Sequence, residues 1–150
     1  MLAGLKSLWR TTGGTAGIEF AIAAPVLVAI LIPLTDLGMA IYQQMQVKGA
    51  AQAGAQYAMA HGWNSNNIQG AVTRATTLLT LTATPAPAKS CGCPNGTAVV
   101  AAACGANCTN GQPVGTYVTV GAQATYTPLI PYPVVGSSMT LSAQATARIQ

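Results

Sequence analysis

The most apolar part of the chain is an uncharged stretch near its N-terminus. Sixteen residues, Phe20 to Thr35, lie between Glu19 and Asp36, and the apolar character continues to Tyr42. A helix needs about 20 residues to cross a bilayer, so the pattern predicts a membrane span over about residues 18–42. A secretory signal peptide is the competing interpretation. Its apolar region would precede the cleavage site, whereas here most apolar residues follow Ala21-Ile22-Ala23, the stretch that resembles such a site, and this favours a retained span.

The helical pattern continues beyond this span and becomes amphipathic, rich in alanine and glycine. Small residues in this half would let another backbone approach closely; they are Gly49, Ala50, Ala53, Gly54 and Ala58. The stretch HGWNSNN predicts the end of the helix, because Gly62 can adopt a left-handed cap and Asn and Ser favour turns. We therefore expect one long N-terminal helix over residues 15–60.

The remaining residues, 61–150, change from helical to alternating patterns. Residues 67–83 predict a second short helix with an Asn or Ser cap, although β-branched residues would allow a strand at its end. TPAPAKSCGCPNG indicates a proline-rich connection. Strict alternation in YVTVGAQATYT and MTLSAQATARIQ predicts two half-buried antiparallel strands, and TAVVAAA suggests a third. The predicted fold class is α+β, with a long transmembrane helix followed by a small domain of antiparallel strands.

Composition and charge support membrane or subunit burial and argue against nucleic-acid binding. The chain is 51% hydrophobic and 5% charged, with a mean hydropathy of +0.42, whereas ordinary domains carry roughly a quarter charged residues. Its six basic residues are scattered and form no clustered basic face of the kind that nucleic acids need. Lys6 and Arg10 precede the span without an acidic residue. The positive-inside tendency therefore predicts a cytoplasmic N-terminus and an exported C-terminal domain.

Four cysteines, Cys91, Cys93, Cys104 and Cys108, lie close together in the sequence. In a reducing compartment such a set could bind zinc, but export favours disulfides. Residues two apart rarely have bridging geometry, which leaves two pairings: Cys91–Cys104 with Cys93–Cys108, or Cys91–Cys108 with Cys93–Cys104. Either pairing would staple a glycine-rich loop that has little core of its own.

The remaining polar residues do not make a catalytic set. With two carboxylates, one histidine and bridged cysteines, no nucleophile, base and orienting group can be assembled, so we expect neither an enzyme nor a cofactor or metal site. His61 is expected to interact with the end of the long helix. Asp36 is either a buried functional carboxylate or a residue in water at the outer interface. Glu19 could simply mark the inner end of the span.

The order of motifs in the first 60 residues resembles a known family. A short basic leader, Gly14, Glu19-Phe20, Pro25 and Asp36-Leu37-Gly38 follow one another as in the N-terminal segment of TadE-like proteins. These are minor pseudopilins of the tight-adherence (Tad, Flp-type) branch of type IV pili. The resemblance covers about residues 13–60.

This resemblance implies that a prepilin peptidase removes residues 1–14 as a basic leader. Cleavage after Gly14 makes Thr15 the first residue and Glu19 the fifth, the usual offset in the family, whereas cleavage after Gly13 or Gly17 would not. The new α-ammonium group of one subunit can then pair with Glu19 of its neighbour, next to Phe20, as helices stack. A buried charge with a partner fixes register.

The resemblance further implies a minor pseudopilin needed for assembly of Tad/Flp-type pili in adhesion and surface attachment. Its partners would be the prepilin peptidase, the bacterial inner membrane, and other pilins through the N-terminal helix. Residues 61–150 would form a periplasmic head, and the processed chain could enter a surface pilus. The alternative is an uncleaved single-pass structural component of the pilus or secretion machinery. An exported binding module with a plain anchor would need neither Gly14 nor Glu19.

Overall fold

The computed structural model describes residues 15–96, 98–130 and 137–149. Two helices and four strands follow one another: α1 (Thr15–His61), α2 (Ser65–Arg74), β1 (Ala88–Asn95), β2 (Ala98–Ala101), β3 (Gly115–Tyr126) and β4 (Met139–Arg148). This confirms the predicted α+β class. The predicted leader, residues 1–14, lies outside the described residues. The chain divides after Gly38 into two compact units.

The first unit is described from residue 15 onward and consists of the apolar part of α1. The helix is continuous through Pro25 and Pro33. Its large apolar side chains are exposed, with Phe20 at 73% and Ile18 at 65%. The helix is long and apolar enough to cross a membrane, and none of its most apolar 18-residue window is buried. An apolar surface of this kind suits contact with lipid or with other helices.

The second unit has its core where the rest of α1 meets α2 and the sheet. The α1 core residues are small, which brings the helix close to its neighbours, and the largest fully buried side chains fill the space between the elements. These are Val47, Ile68, Val72, Val118 and Val120. Because α2 is amphipathic, it buries one side against this core.

The small residues of α1 face this core, and the elements that approach them closely are α2 and the sheet of the same chain. Ala50 and Ala58 are fully buried. A Cβ added at Gly54 would lie 2.5 Å from a methyl carbon of Val72. Gly49, by contrast, is exposed, with nothing within 4 Å of an added Cβ. The alanine- and glycine-rich face therefore serves mainly the chain's own packing.

The sheet has the strand order β2-β1-β3-β4, and all its pairings are antiparallel. The two strands predicted from alternation are β3 and β4, which pair from Tyr117↔Arg148 to Tyr126↔Met139. On β3, alternate residues from Val118 to Tyr126 are buried, as the pattern indicated. The third predicted strand is present as β2, limited to four residues.

The prediction of a proline-rich connection at residues 84–96 was wrong in part, because β1 forms within this stretch. Gly92 allows the close pairing of β1 with β2: a Cβ there would lie 2.5 Å from a Val99 methyl carbon and 2.7 Å from the Val100 carbonyl oxygen. Pro94 pairs with Val99 near the end of the strand. A proline is tolerated where its missing N–H is not needed by the ladder.

The helix boundaries follow local hydrogen bonds. Gly62 has φ +77° and donates its N–H to the Ala58 carbonyl at 2.9 Å, which confirms the predicted end of α1. The Asn64 side chain caps α2 by accepting from the Asn67 N–H at 3.1 Å. However, α2 ends at Arg74, not near residue 83 as expected.

Candidate functional site

The predicted processing site lies at the beginning of α1. Thr15 is the first helical residue, while Gly14 lies outside the described residues. Glu19 follows about one turn later and is exposed, as is its neighbour Phe20. The single chain therefore leaves the Glu19 carboxylate accessible to a group from another molecule.

Glu19 stands at the N-terminal end of an apolar stripe on one side of α1. The stripe is formed by residues spaced three or four apart, Ile22, Ala23, Val26, Leu27 and Ile30. Such spacing places side chains on one helix face. A second helix covering this stripe would also remove water from the carboxylate. Because an unpaired buried carboxylate is costly, the arrangement favours a helix that brings a cation to Glu19.

The cysteines are paired in the second unit, which leaves no thiolate for zinc or redox chemistry among them. Cys91 bonds to Cys104 and Cys93 to Cys108, with Cα–Cα distances of 5.3 and 5.7 Å. This is the first of the two pairings that the sequence left open. Both bonds attach the loop after β2 to β1. Within the described residues, no three His, Cys, Asp or Glu side chains come together as metal ligands.

His61 and Asp36 occupy different environments. His61 ends α1, and its ring stacks on Tyr57 with centroids 4.4 Å apart. Its Nδ1 lies 3.3 Å from the Tyr57 carbonyl oxygen, so the expected helix-end interaction is present. Asp36 is only 3% exposed. The expectation that its carboxylate lies in water at the outer interface is therefore wrong.

A groove beside β4 was not predicted from the sequence. It lies between the edge of β4 that pairs with no other described strand and the C-terminal half of α1, and it has a volume of about 870 Å³. On the helix side it is lined by Lys48, Gln52, Gln56 and Met59. At one end, the Gln44 side-chain amide donates to the Ser142 carbonyl at 3.0 Å. Sequence periodicity identifies strands but not which of them ends a sheet, so no local signal could have revealed the groove.

Comparison with known proteins gives a match for the N-terminal region around Glu19. Residues 14–56 match the family model described as TadE-like protein. This N-terminal segment is similar to TadE-like proteins. The match begins at Gly14 and includes Glu19, Phe20 and Asp36, which confirms the resemblance stated above. No curated protein and no solved structure matches the chain.

The TadE-like match supports a part in the assembly of Tad-type pili and association with pilus components. The long apolar helix within and beyond the matched residues supports anchoring in a membrane. The cysteine-bearing sheet lies outside the matched segment.

Proposed function

We propose that the chain is a TadE-like minor pseudopilin, cleaved by a prepilin peptidase after Gly14 and needed for assembly of Tad/Flp-type pili in adhesion and surface attachment. The observation that carries this proposal is the placement of Glu19: exposed, at the end of an apolar stripe, one turn after the first residue of α1. The TadE-like match over residues 14–56 supports the same assignment. The role is structural and requires no catalysis by this chain.

Cleavage would change the charge at the start of α1 in a way that suits Glu19. It leaves an α-ammonium group on Thr15 and removes Lys6 and Arg10, the cations that hold the N-terminus on the cytoplasmic side. The ammonium group of one subunit can pair with Glu19 of the next as their apolar stripes meet. In a wrong register both charges stay unpaired out of water, at a cost of several kcal/mol. The pair therefore selects one stacking arrangement.

The same proposal sets the location of each part. In the bacterial inner membrane the N-terminus is cytoplasmic, α1 spans the bilayer, and residues 61–150 form the periplasmic head. The disulfides of the head are consistent with an oxidising compartment. Other pilins contact α1 along its apolar surface, and the processed chain can leave the membrane for a filament.

The decisive experiment is the intact mass and N-terminal sequence of the chain extracted from membranes of cells with and without an active prepilin peptidase. We expect a start at Thr15 that depends on the peptidase. A start at Met1 with the peptidase present would contradict cleavage and would make the chain a permanently anchored component of the machinery.

Two glycine variants locate the cleaved bond. Gly14→Val should block processing, because a branched side chain replaces the residue before the bond. Gly13→Ala is the matched control and should still be cleaved before Thr15. Processing of Gly14→Val at an unchanged position would overturn the assignment of Gly14.

A further inference from the structure

The strand β4 ends the sheet and presents one backbone edge to the outside. Gln123 of β3 exchanges both backbone hydrogen bonds with Thr82, at 2.8 and 2.9 Å, on the side of β3 away from β4. Ser142, which faces Gln123 across the β3–β4 pair, therefore points its own N–H and C=O away from β3. Because this direction alternates along a strand, Gln144 and Thr146 also point theirs outward.

Among these outward groups, those of Gln144 and Thr146 have no hydrogen-bond partner in the part of the chain that the structure describes. The Ser142 carbonyl is occupied by the Gln44 side chain, but no described residue bonds the backbone of Gln144 or Thr146 on this side. The groove of about 870 Å³ runs along this stretch, between residues 142–148 and α1. Strands pair at about 4.8 Å, so the groove gives an added strand room beside β4.

The β4 edge lacks most of the features by which proteins prevent edge pairing. Such edges are usually short, interrupted by proline or a bulge, or rich in charge. β4 has ten residues, regular pairing with β3 throughout, no proline, and Arg148 as its one charged residue. The opposite edge strand, β2, has only four residues. The longer edge is thus the one suited to strand addition.

Charge indicates what kind of segment would fit. Residues 39–150 contain Lys48, Arg74, Lys89 and Arg148 but no aspartate or glutamate, and Lys48 lines the groove. A second copy of this domain would bring only further cations to the groove. An extended segment with acidic side chains would meet Lys48 with opposite charge, and opposite charges favour encounter and register.

We propose that the β4 edge binds an extended acidic segment of a different protein, which adds as a fifth strand next to β4. The backbone N–H and C=O groups of Gln144 and Thr146 supply the pairing, and Lys48 selects the acidic partner. That the partner is another pilus component rests on the proposed function. The strand-addition surface itself does not depend on cleavage after Gly14.

The test uses the full chain in cells that assemble pili. A photo-crosslinking amino acid replaces Gln52, whose side chain lines the groove, and a control replaces the exposed Asn66 on α2. We expect a crosslink at position 52, mapped by mass spectrometry to an acidic segment of one other protein, and no such crosslink at position 66.

Two matched pairs of variants test the mechanism of binding. Gln144→Pro removes an outward N–H without removing a bond to β3 and should lower the crosslink about tenfold, as loss of an edge hydrogen bond and steric exclusion predict. Gln144→Ala keeps the N–H and should leave the crosslink unchanged. Lys48→Glu should lower it about two- to fivefold, whereas Lys89→Glu, the same charge change at an exposed site on β1, should not.

Several results would overturn the proposal: no crosslink at position 52, a crosslink to a second copy of this chain or to lipid, or equal effects of Lys48→Glu and Lys89→Glu. Protease resistance checks that Gln144→Pro is folded. If it is not, the comparison of Lys48→Glu with Lys89→Glu and the identity of the crosslinked segment test the proposal instead. The N-terminus is sequenced in the same cells. A chain that starts at Thr15 without the crosslink contradicts only this proposal, whereas a crosslinked chain that starts at Met1 contradicts only the proposed function.

Discussion

Gly54 of α1 lies so close to Val120 of β3 that a Cβ at position 54 would stand 2.8 Å from a Val120 methyl carbon. Val120 is fully buried, as is Val72 on the other side of the same contact. Neither neighbour has free space into which to move, because protein interiors are close-packed. The missing side chain of Gly54 therefore sets how near the helix comes to the sheet.

This contact predicts opposite effects for two similar substitutions. Gly54→Ala should destabilise the domain by about 1–3 kcal/mol, because overpacking outweighs the gain of up to about 1 kcal/mol in helix propensity. Gly49→Ala on the same helix meets open space and should stabilise it by up to about 1 kcal/mol. Denaturant unfolding of the full chain in detergent measures both. Equal stability of the two variants would contradict the packing described for Gly54.

Removing the disulfides should loosen one side of the domain. The bonds join residues 13 and 15 apart, and closing loops of this length is worth about 3 kcal/mol each in the chain-entropy model. The joint replacement of Cys91 and Cys104 by serine should therefore lower unfolding stability by about that amount. Cleavage by trypsin after Lys89 should increase, while the backbone amides of the β3–β4 pair, which has its own ladder, should stay protected from hydrogen exchange. Loss of exchange protection in β3 and β4 as well would show that the bonds hold the whole core.

The proposed role of Glu19 predicts that charge matters more than shape at this position. Glu19→Gln keeps the size of the side chain but removes the partner for an α-ammonium group, so it should abolish incorporation into sheared surface filaments. Glu19→Asp keeps the charge and should retain part of the incorporation. Membrane extraction and immunoblotting confirm that each variant is inserted. Normal filaments with Glu19→Gln would reduce Glu19 to an interfacial residue.

The elements that sequence patterns predicted are those whose own residues determine them. Alternation identified β3 and β4 because one face of each is buried, and Gly62 identified the end of α1. The strand β1 has little alternation: its pairing with β2 depends on Gly92 and on partners supplied by later residues. Strand pairing of this kind depends on contacts between segments that meet only in the folded chain, so local sequence patterns do not predict it.

The end of α2 was also not predictable from the helical pattern, because it depends on hydrogen bonds made by the residues that follow. The Thr76 hydroxyl accepts from the Leu78 N–H at 3.2 Å, a local bond that competes with helix formation. Thr82 then bonds to Gln123 of β3, 41 residues away. The family motif predicted the region around Glu19, but the groove beside β4 required the strand order, which no stretch of sequence contains.

The absence of acidic side chains from residues 39–150 also determines how the head responds to acid. Proteins usually unfold at low pH because carboxylates that are paired in the native state take up protons, and this domain has no side-chain carboxylate to protonate. We expect the near-ultraviolet circular dichroism of the full chain in detergent to change little from neutral pH to about pH 3. We therefore expect a domain of this composition to keep its fold in acidic surroundings.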